Sequence, residues 1–351
     1  MVLKRLVLHN FRNYTQKSFD FSEKTTYIVG PNTTGKTNIL EAVYLLSTGK
    51  SFRAEKDSQL IQFGEKIAKV SGIVSEEKLE CIVSQIEGRE APLKKYIVNG
   101  VSKRRADFAS HLHVVLFSPL DLDIISGAPG LRRAFLDEVL EQSDTEYRLA
   151  RSSYEKALRQ RNALLDFAKE KGIRNEKQFE YWDELLIENG QVITKKRNDL
   201  IQFFNDTQKD IVGFVISYNR SEISKERLLQ YKDAEVAASA TLVGPHRDDI
   251  LLSFFDNERV TTHDVKQFGS RGQQRLIVLQ LKLLALGFIE EALGERPLLL
   301  LDDIFSELDE GHIHHVRDMI GQQQTIITTT HQEFISTKKA TDIDVIELKK
   351  A

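Results

Sequence analysis

The period of the hydrophobic positions changes along the chain, and each change marks a new kind of element. Thr25 to Gly30 (TTYIVG) is a short β-branched run ending in glycine, which predicts a strand. Directly after it, Ile39, Leu40, Val43 and Leu46 fall at helical spacing, with Gly49 as a stop signal. Runs at 67–74 (IAKVSGIV), 79–86 (LECIVSQI) and 94–100 (KKYIVNG) alternate or are β-branched, and Asn99-Gly100 is a two-residue hairpin turn. These predict an antiparallel sheet.

After the apolar run at 113–117 (HVVLF) the pattern lengthens into helices. Leu131, Phe135, Val139, Leu149, Leu158, Leu164 and Leu165 ride on a highly charged segment that Lys171-Gly172 breaks. A second run from Glu176 to about Ile211 carries Phe179, Trp182, Leu185, Leu186, Asn189, Val192, Ile193, Leu200, Phe203 and Phe204. Helices this long and charged pack as an antiparallel, coiled-coil-like hairpin, and their aromatic stripe is a helix-helix core. Mixed structure returns at 241–255 (TLVGPHRDDILLSFF). Ser270, Arg271, Gly272 and Gln273 then open an amphipathic helix that Gly294 and Pro297 end. LLLLDD at 298–303 reads as a buried strand with carboxylates at its C-terminal end, followed by SELD at 306–309, the strand TIITTT at 325–330, and His331.

The strand and helix at the N-terminus enclose GPNTTGKT, from Gly30 through Pro31, Asn32, Thr33, Thr34, Gly35 and Lys36 to Thr37, with Asn38 following. In that setting backbone N–H groups point at a β-phosphate, and the helix N-terminus adds partial positive charge. Lys36 reaches the β- and γ-phosphates and the Thr37 hydroxyl ligates Mg²⁺. ATP and Mg²⁺ are the expected cofactors. The natural acidic partner is Asp302, yet 266 positions separate it from Lys36. That gap predicts a nucleotide-binding head split by an insertion, with lobe I at 1–118 and 242–351 and a helical arm, lobe II, at 119–241.

Composition narrows the class. A chain of 351 residues, 41% hydrophobic and 29% charged, has room for two cores. The single cysteine, Cys81, excludes an internal disulfide. An N-terminus without a signal core and the lack of a long apolar run predict a cytoplasmic protein with no membrane partner. With 49 basic and 52 acidic residues the net charge is -3, so any binding of a polyanion must come from local patches. One such patch is Lys94, Lys95, Lys103, Arg104 and Arg105, open to two readings: a solvated edge that discourages strand pairing, or a phosphate-contacting surface. His312, His314 and His315 lack the carboxylates or cysteines of a metal site and read as a solvated helix face.

The phosphate loop, the Ser-Arg-Gly-Gln segment before a helix, LLLLDD, SELD and the strand-end His331 stand in one fixed order. In that order the chain resembles the ABC-type ATPase heads of the SMC and recombination-repair group, and within it the RecF family. The resemblance runs from Asn10 to His331. It includes KSFR (50–53), FSPLDLDIISGAPGLRRAFLD (117–137), GPHRDD (244–249), SRGQQR (270–275) and LLLLDDIFSELD (298–309). Leu120 stands where the family usually has an acidic residue, and Thr33 where a small residue or glycine is common. No residue matches the strand-end glutamine of other ABC ATPases.

The resemblance implies an α/β, ABC-type P-loop ATPase head, a mixed sheet with helices plus an antiparallel β subdomain, split by a mainly helical arm. It implies that Ser270, Arg271, Gly272 and Gln273 of one copy close over ATP on the loop of another, making an ATP-dependent homodimer. Asp302 holds Mg²⁺ with Thr37, Asp303 orients water or acts as base, Asp309 contacts the partner copy, and His331 senses the γ-phosphate. Arg12 and Asn13 match nucleotide-contacting residues, and Arg53 a contact to phosphate or DNA. Arg132 and Arg133 stay open between a salt bridge joining lobes and a DNA contact; GPHRDD reads as a structural block. The implied function is an ATP-gated clamp on duplex or gapped DNA in recombinational repair, replication and the SOS response, with weak DNA-stimulated ATP hydrolysis and RecR and RecO as partners. Alternatives are an ABC-type ATPase energising a transporter and a nucleotide-locked structural protein that does not hydrolyse.

Overall fold

A computed structural model describes residues 1–89, 91–255, 262–304, 320, 322–330 and 343–349. The chain divides into two compact units, Met1–Asp121 with Ala285–Ala351, and Leu122–Leu284.

In the first unit β1 (Leu3–Phe11) and β2 (Tyr14–Asp20) form a hairpin, followed by β3 (Thr25–Val29) and α1 (Lys36–Thr48). Next come β4 (Ile67–Val74), β5 (Glu77–Ser84), β6 (Leu93–Val98), β7 (Val101–Lys103), a single-turn α2 (Arg105–Phe108) and β8 (Val114–Phe117). Strands β2-β1-β4-β5-β6-β7 make an antiparallel sheet. Asn99 (φ 49) and Gly100 (φ 81) are both left-handed, as the hairpin signal requires.

The second unit holds α3 (Asp123–Ser126), α4 (Pro129–Ser143), α5 (Thr145–Lys171), α6 (Glu176–Asp206), β9 (Val215–Asn219), α7 (Lys225–Gln230), α8 (Lys232–Ala238), β10 (Asp249–Phe255), β11 (Thr262–Asp264) and α9 (Val265–Phe268). The long α10 (Arg271–Leu293) contains the division between units. The charged segment before Gly172 divides where Asp144 adopts φ -136 and its carboxylate accepts the Tyr147 N–H at 2.9 Å, capping α5. Gly172 (φ 66) ends α5 as expected, whereas α6 stops at Asp206, short of Ile211.

The helix seam differs from the leucine stripe read in the sequence. Leu131 and Leu149 are exposed, and α5 instead buries Tyr147, Ala150, Tyr154, Ala157, Arg161, Leu165 and Ala168. This heptad-like spacing faces Phe179, Leu186, Gly190, Ile193, Arg197, Leu200 and Phe204 of α6. Two seam positions are arginines, and each is paired. Arg161 bridges Asp183 and Glu235, both at 2.6 Å, and Arg197 bridges Asp137 (2.7 Å) and Asp248 (3.0 Å).

Those pairs explain the GPHRDD block. Arg132 grips Asp249 through two bonds of 2.7 and 2.9 Å, and Arg133 donates to the Asp248 carbonyl at 2.6 Å. The block and residues 122–137 therefore lie in one structural unit, and β10 pairs with β9 within it. Here the compact units depart from the expected lobes: 242–284 groups with the helices, because these ion pairs and strand contacts hold it there.

His246 sits in the same network. Its Nε2 lies 3.0 Å from the Thr241 carbonyl, which can only accept, so Nε2 carries the proton and Nδ1 accepts from the Tyr154 hydroxyl at 2.7 Å. Burial lowers its pKa from 6.5 to about 4, with Arg247 and Arg133 adding to the shift. The folded value lies below the unfolded one, so the stabilisation from neutral His246 is complete above pH 6.5 and is lost as pH falls towards 4. The expected loss is at most about 3 kcal/mol. Urea unfolding of wild type and His246→Gln at pH 7 and 4.5 checks this; an unchanged pH slope in the variant would sink it.

Returning to the first unit, β12 (Leu298–Asp302), β13 (Thr325–Thr329) and β14 (Ile343–Glu347) join β3 and β8 in a parallel sheet of order β14-β3-β13-β12-β8. Strands β3, β8, β12 and β13 are buried at every position, as a sheet covered on both faces requires. Helix α1 contacts strands of both sheets and is buried nearly all round. Its Ile39, Val43 and Leu46 share one core with Leu6, Val70 and Leu79 of the antiparallel sheet and Leu300 and Ile326 of the parallel one. The Gln324 side chain stitches the two, accepting the Leu3 N–H and donating to the Leu3 carbonyl, both at 2.8 Å. Among the described residues no helix is long and apolar enough to cross a membrane.

Candidate nucleotide site

The parallel sheet brings the two distant motifs together. Register pairs Asp302 with Thr328 and Thr328 with Ile28, so β12, β13 and β3 end level and present one C-terminal edge. There the Thr37 hydroxyl donates to Asp302 Oδ1 at 3.0 Å, across 265 positions of sequence. The same oxygen accepts from Thr328 Oγ1 at 2.7 Å. Burial raises the Asp302 pKa above the ordinary carboxyl value, opposed by hydrogen bonds from Thr328 and Thr37. A hydroxyl and a carboxylate side by side at a phosphate loop are the oxygen donors Mg²⁺ takes alongside phosphate oxygens, so the residues fit that ion. Asp303, at φ 49, follows directly, its N–H held by the Thr328 carbonyl (3.2 Å) and hydroxyl (3.0 Å).

The loop itself is closely packed. Gly35 has φ 99, and a Cβ there would lie 2.7 Å from both Asn13 Nδ2 and the Tyr14 hydroxyl, so only glycine fits. Thr33 has φ 73, a strained conformation for a β-branched residue. Lys36 is buried and folds back on its own loop, Nζ donating to Gly30 O (2.7 Å) and Pro31 O (3.0 Å). Burial lowers its pKa, opposed by the charges of Asp303 and Asp302.

Beside the loop lies an open groove of about 630 Å³ lined by Arg12, Asn13, Asn38, Arg53, Gln59, Ile61 and Phe63. Asn13 donates to Thr34 O at 3.4 Å and accepts from Asn38 at 2.6 Å; Arg53 bonds Asn38. Arg12 and Arg53 both bind Glu41. The structure thus places Arg12, Asn13, Asn38 and Arg53 with the phosphate loop.

The five cations at 94–105 divide. Lys94 donates to Asp57 (2.8 Å) and Gly49 O (3.0 Å), and Arg105 to Thr48 O (3.3 Å), covering the C-terminal carbonyls of α1. Lys95, Lys103 and Arg104 are exposed, the last near Asp107 at 3.3 Å.

In the second unit Ser270, Arg271, Gly272 and Gln273 are all exposed at the start of α10. Ser270 Oγ accepts the Gln273 N–H at 3.2 Å and Gln273 Oε1 accepts the Ser270 N–H at 2.9 Å, a reciprocal cap. Among the described residues nothing lies within 4 Å of where a Gly272 Cβ would stand. Asp309, His331, His312, His314 and His315 lie outside the described residues, and among the described ones no cluster of three His, Cys, Asp or Glu side chains could hold a metal.

Sequence reasoning did not single out Thr328 or Glu41. Thr328 is hidden in a β-branched run that signals only a strand. Glu41 carries a signal, a carboxylate inside an apolar helical stripe.

A phosphate loop, a carboxylate-bearing strand beside it with one strand between, and an exposed serine-capped helix define an ABC-type nucleotide-binding head. The model described as RecF/RecN/SMC N terminal domain matches residues 2–350, and the chain belongs to that family. It is 35% identical to the DNA replication and repair protein RecF of Agathobacter rectalis over 97% of this chain and 96% of that protein. It is 36% identical to the RecF of Thermosynechococcus vestitus, over 94% and 91%. Among solved structures it resembles the recombination mediator protein RecF with ATP in the RecFOR pathway, with TM-score 0.84, 32% identity, and coverage of 95% of this chain and 93% of that one. A Pyrococcus furiosus Smc head, at TM-score 0.51 and 19% identity over 94% and 90%, shares the fold.

Proposed function

We propose that this chain is an ATP-dependent DNA-binding clamp of recombinational repair. The observation that carries the reading is the Thr37–Asp302 contact at 3.0 Å, which brings together, from the two ends of the chain, a hydroxyl and a carboxylate suited to Mg²⁺. Lys36 and the loop N–H groups bind the triphosphate, and Thr37 and Asp302 hold Mg²⁺, which neutralises phosphate charge when bound. Asp303, one methylene shorter than glutamate, orients water for slow hydrolysis that serves as a release switch.

The exposed start of α10 supports the second half of the reading. Ser270 and Gly272 of one copy close over the γ-phosphate on another, so ATP joins two chains and hydrolysis parts them. His331 senses the γ-phosphate and Asp309 meets the partner copy. Lys95, Lys103 and Arg104 meet DNA backbone without sequence preference, and Lys94 and Arg105 support that hairpin. The clamp acts at duplex or gapped DNA during replication and the SOS response, helping to load recombinase with RecO and RecR, in the cytoplasm. The solved RecF named for the RecFOR pathway supports this assignment of partners.

Light scattering with ATP and Mg²⁺ tests it. Asp303→Asn should form a stable dimer, and adding Ser270→Arg should return it to monomer while ATP still binds. A monomer in Asp303→Asn at saturating ATP would refute the clamp. A salt titration tests the DNA arm, since affinity carried by phosphate contacts must fall steeply with salt.

A further inference from the structure

Glu41 is fully buried in α1 between Leu40 and Ala42, where a carboxylate is costly unless its oxygens are occupied. They are occupied by donors from two other segments. Oε1 accepts from Arg12 Nη2 at 2.6 Å and Ser51 Oγ at 2.6 Å; Oε2 accepts from Arg12 Nε at 2.8 Å and Arg53 Nη2 at 2.9 Å. Arg12 belongs to the β1–β2 turn, and Ser51 and Arg53 to the segment after α1.

We propose that Glu41 is the positioning residue of the nucleotide site, setting two guanidinium groups beside the phosphate loop for a nucleoside triphosphate. The proposal rests on the ATP reading above. Arg12 is held through two parallel bonds, which fix both its position and its plane. Arg53 is held through Nη2 alone, by Glu41 and Asn38, and its Nε and Nη1 make no bond among the described residues. From Asn38 the network continues through Asn13 at 2.6 Å to the Thr34 carbonyl at 3.4 Å, within the phosphate loop. One carboxylate thereby ties the orientation of both cations to the helix that carries Lys36 and Thr37. Packing alone would be served by any apolar residue at this position; a bidentate, charge-matched partner is needed only where guanidinium geometry matters.

Glutamine at 41 offers one carbonyl oxygen and turns an NH₂ towards guanidinium donors, so it cannot hold both arginines, at nearly the same side-chain volume. Glu41→Gln should raise the KM for ATP about tenfold with kcat within about twofold, the pattern of lost binding shared by ground and transition states. In an Arg12→Gln/Arg53→Gln background the same change should add nothing further, because Glu41 acts through those residues. Glu41→Asp should recover part of the affinity. An unchanged KM in Glu41→Gln with a wild-type melting temperature overturns the proposal, as does an equal cost in both backgrounds. If Glu41→Gln melts below the assay temperature, Glu41→Asp carries the same comparison. A wild-type chain that fails to bind ATP would instead bring down the ATP reading itself.

Discussion

Lys36→Ala should weaken ATP binding about 100-fold and leave the fold intact. Lys36 Nζ donates to two loop carbonyls, at 2.7 and 3.0 Å, and a triphosphate offers it charged oxygens instead. Hydrogen bonds to charged groups are worth about 1.5–3 kcal/mol each, and losing about 3 kcal/mol costs about two decades in affinity. Among the described residues the ammonium makes only these protein bonds, both to its own loop, so alanine removes no tie between described elements of the core. Titration with a fluorescent ATP analogue reads the effect, with the far-ultraviolet circular dichroism of the whole chain as a control for folding. A change smaller than about threefold would show that the loop does not hold a triphosphate through this lysine.

Arg197→Met should destabilise the helical unit by about 3–5 kcal/mol, the range for removing one partner of a buried ion pair. Arg197 is 5% exposed, and its partners Asp137 and Asp248 are 8% and 1% exposed. Methionine fills much of the volume but strands Asp248, whose pKa burial already raises despite Tyr218, Ser221 and Arg197. Asp137 keeps Arg151 at 3.2 Å and Tyr147. Trp182, the single tryptophan, lies in α6, so urea unfolding followed by its fluorescence reports on this unit. Adding Asp248→Asn should restore part of the loss, because the stranded charge is what costs most. No recovery in the double variant would mean that Arg197 acts through packing alone.

Both predictions concern residues whose environment was unevenly legible beforehand. The strand, phosphate loop and helix around Lys36 were readable because they are contiguous: period, glycine placement and turn chemistry act within a few residues. The two long helices were readable for the same reason, and Gly172 ended the first where the pattern did. The seam between them was read in part: Leu165, Phe179, Leu186, Ile193, Leu200 and Phe204 are buried in it. The leucines at 131 and 149 lie in solvent, and the seam uses Ala150, Ala157 and Gly190 for close approach, with Arg161 and Arg197 paired inside it. Pairing partners for buried arginines come from other elements, and no local period announces them.

The basic stretch at 94–105 makes the same point on a smaller scale. As sequence it is one patch. Folded, Lys94 and Arg105 meet the end of α1, while Lys95, Lys103 and Arg104 face solvent, because strand alternation and the hairpin turn send neighbours in opposite directions.

By itself the sequence determined that a phosphate loop exists, that an acidic strand end and a serine-capped helix accompany it in order, and that a charged helical hairpin interrupts them. These are properties of short segments, and short-range backbone preference and hydrophobic period suffice to specify them. Tertiary structure alone decided that Thr37 and Asp302 touch, that Thr328 from the strand between holds the same carboxylate oxygen, and that Glu41 accepts from both Arg12 and Arg53. Those contacts depend on the hydrogen-bonded register of β3, β13 and β12 and on what packs against α1. Register is a property of paired strands, so it came into being only when the two ends of the chain met in one sheet.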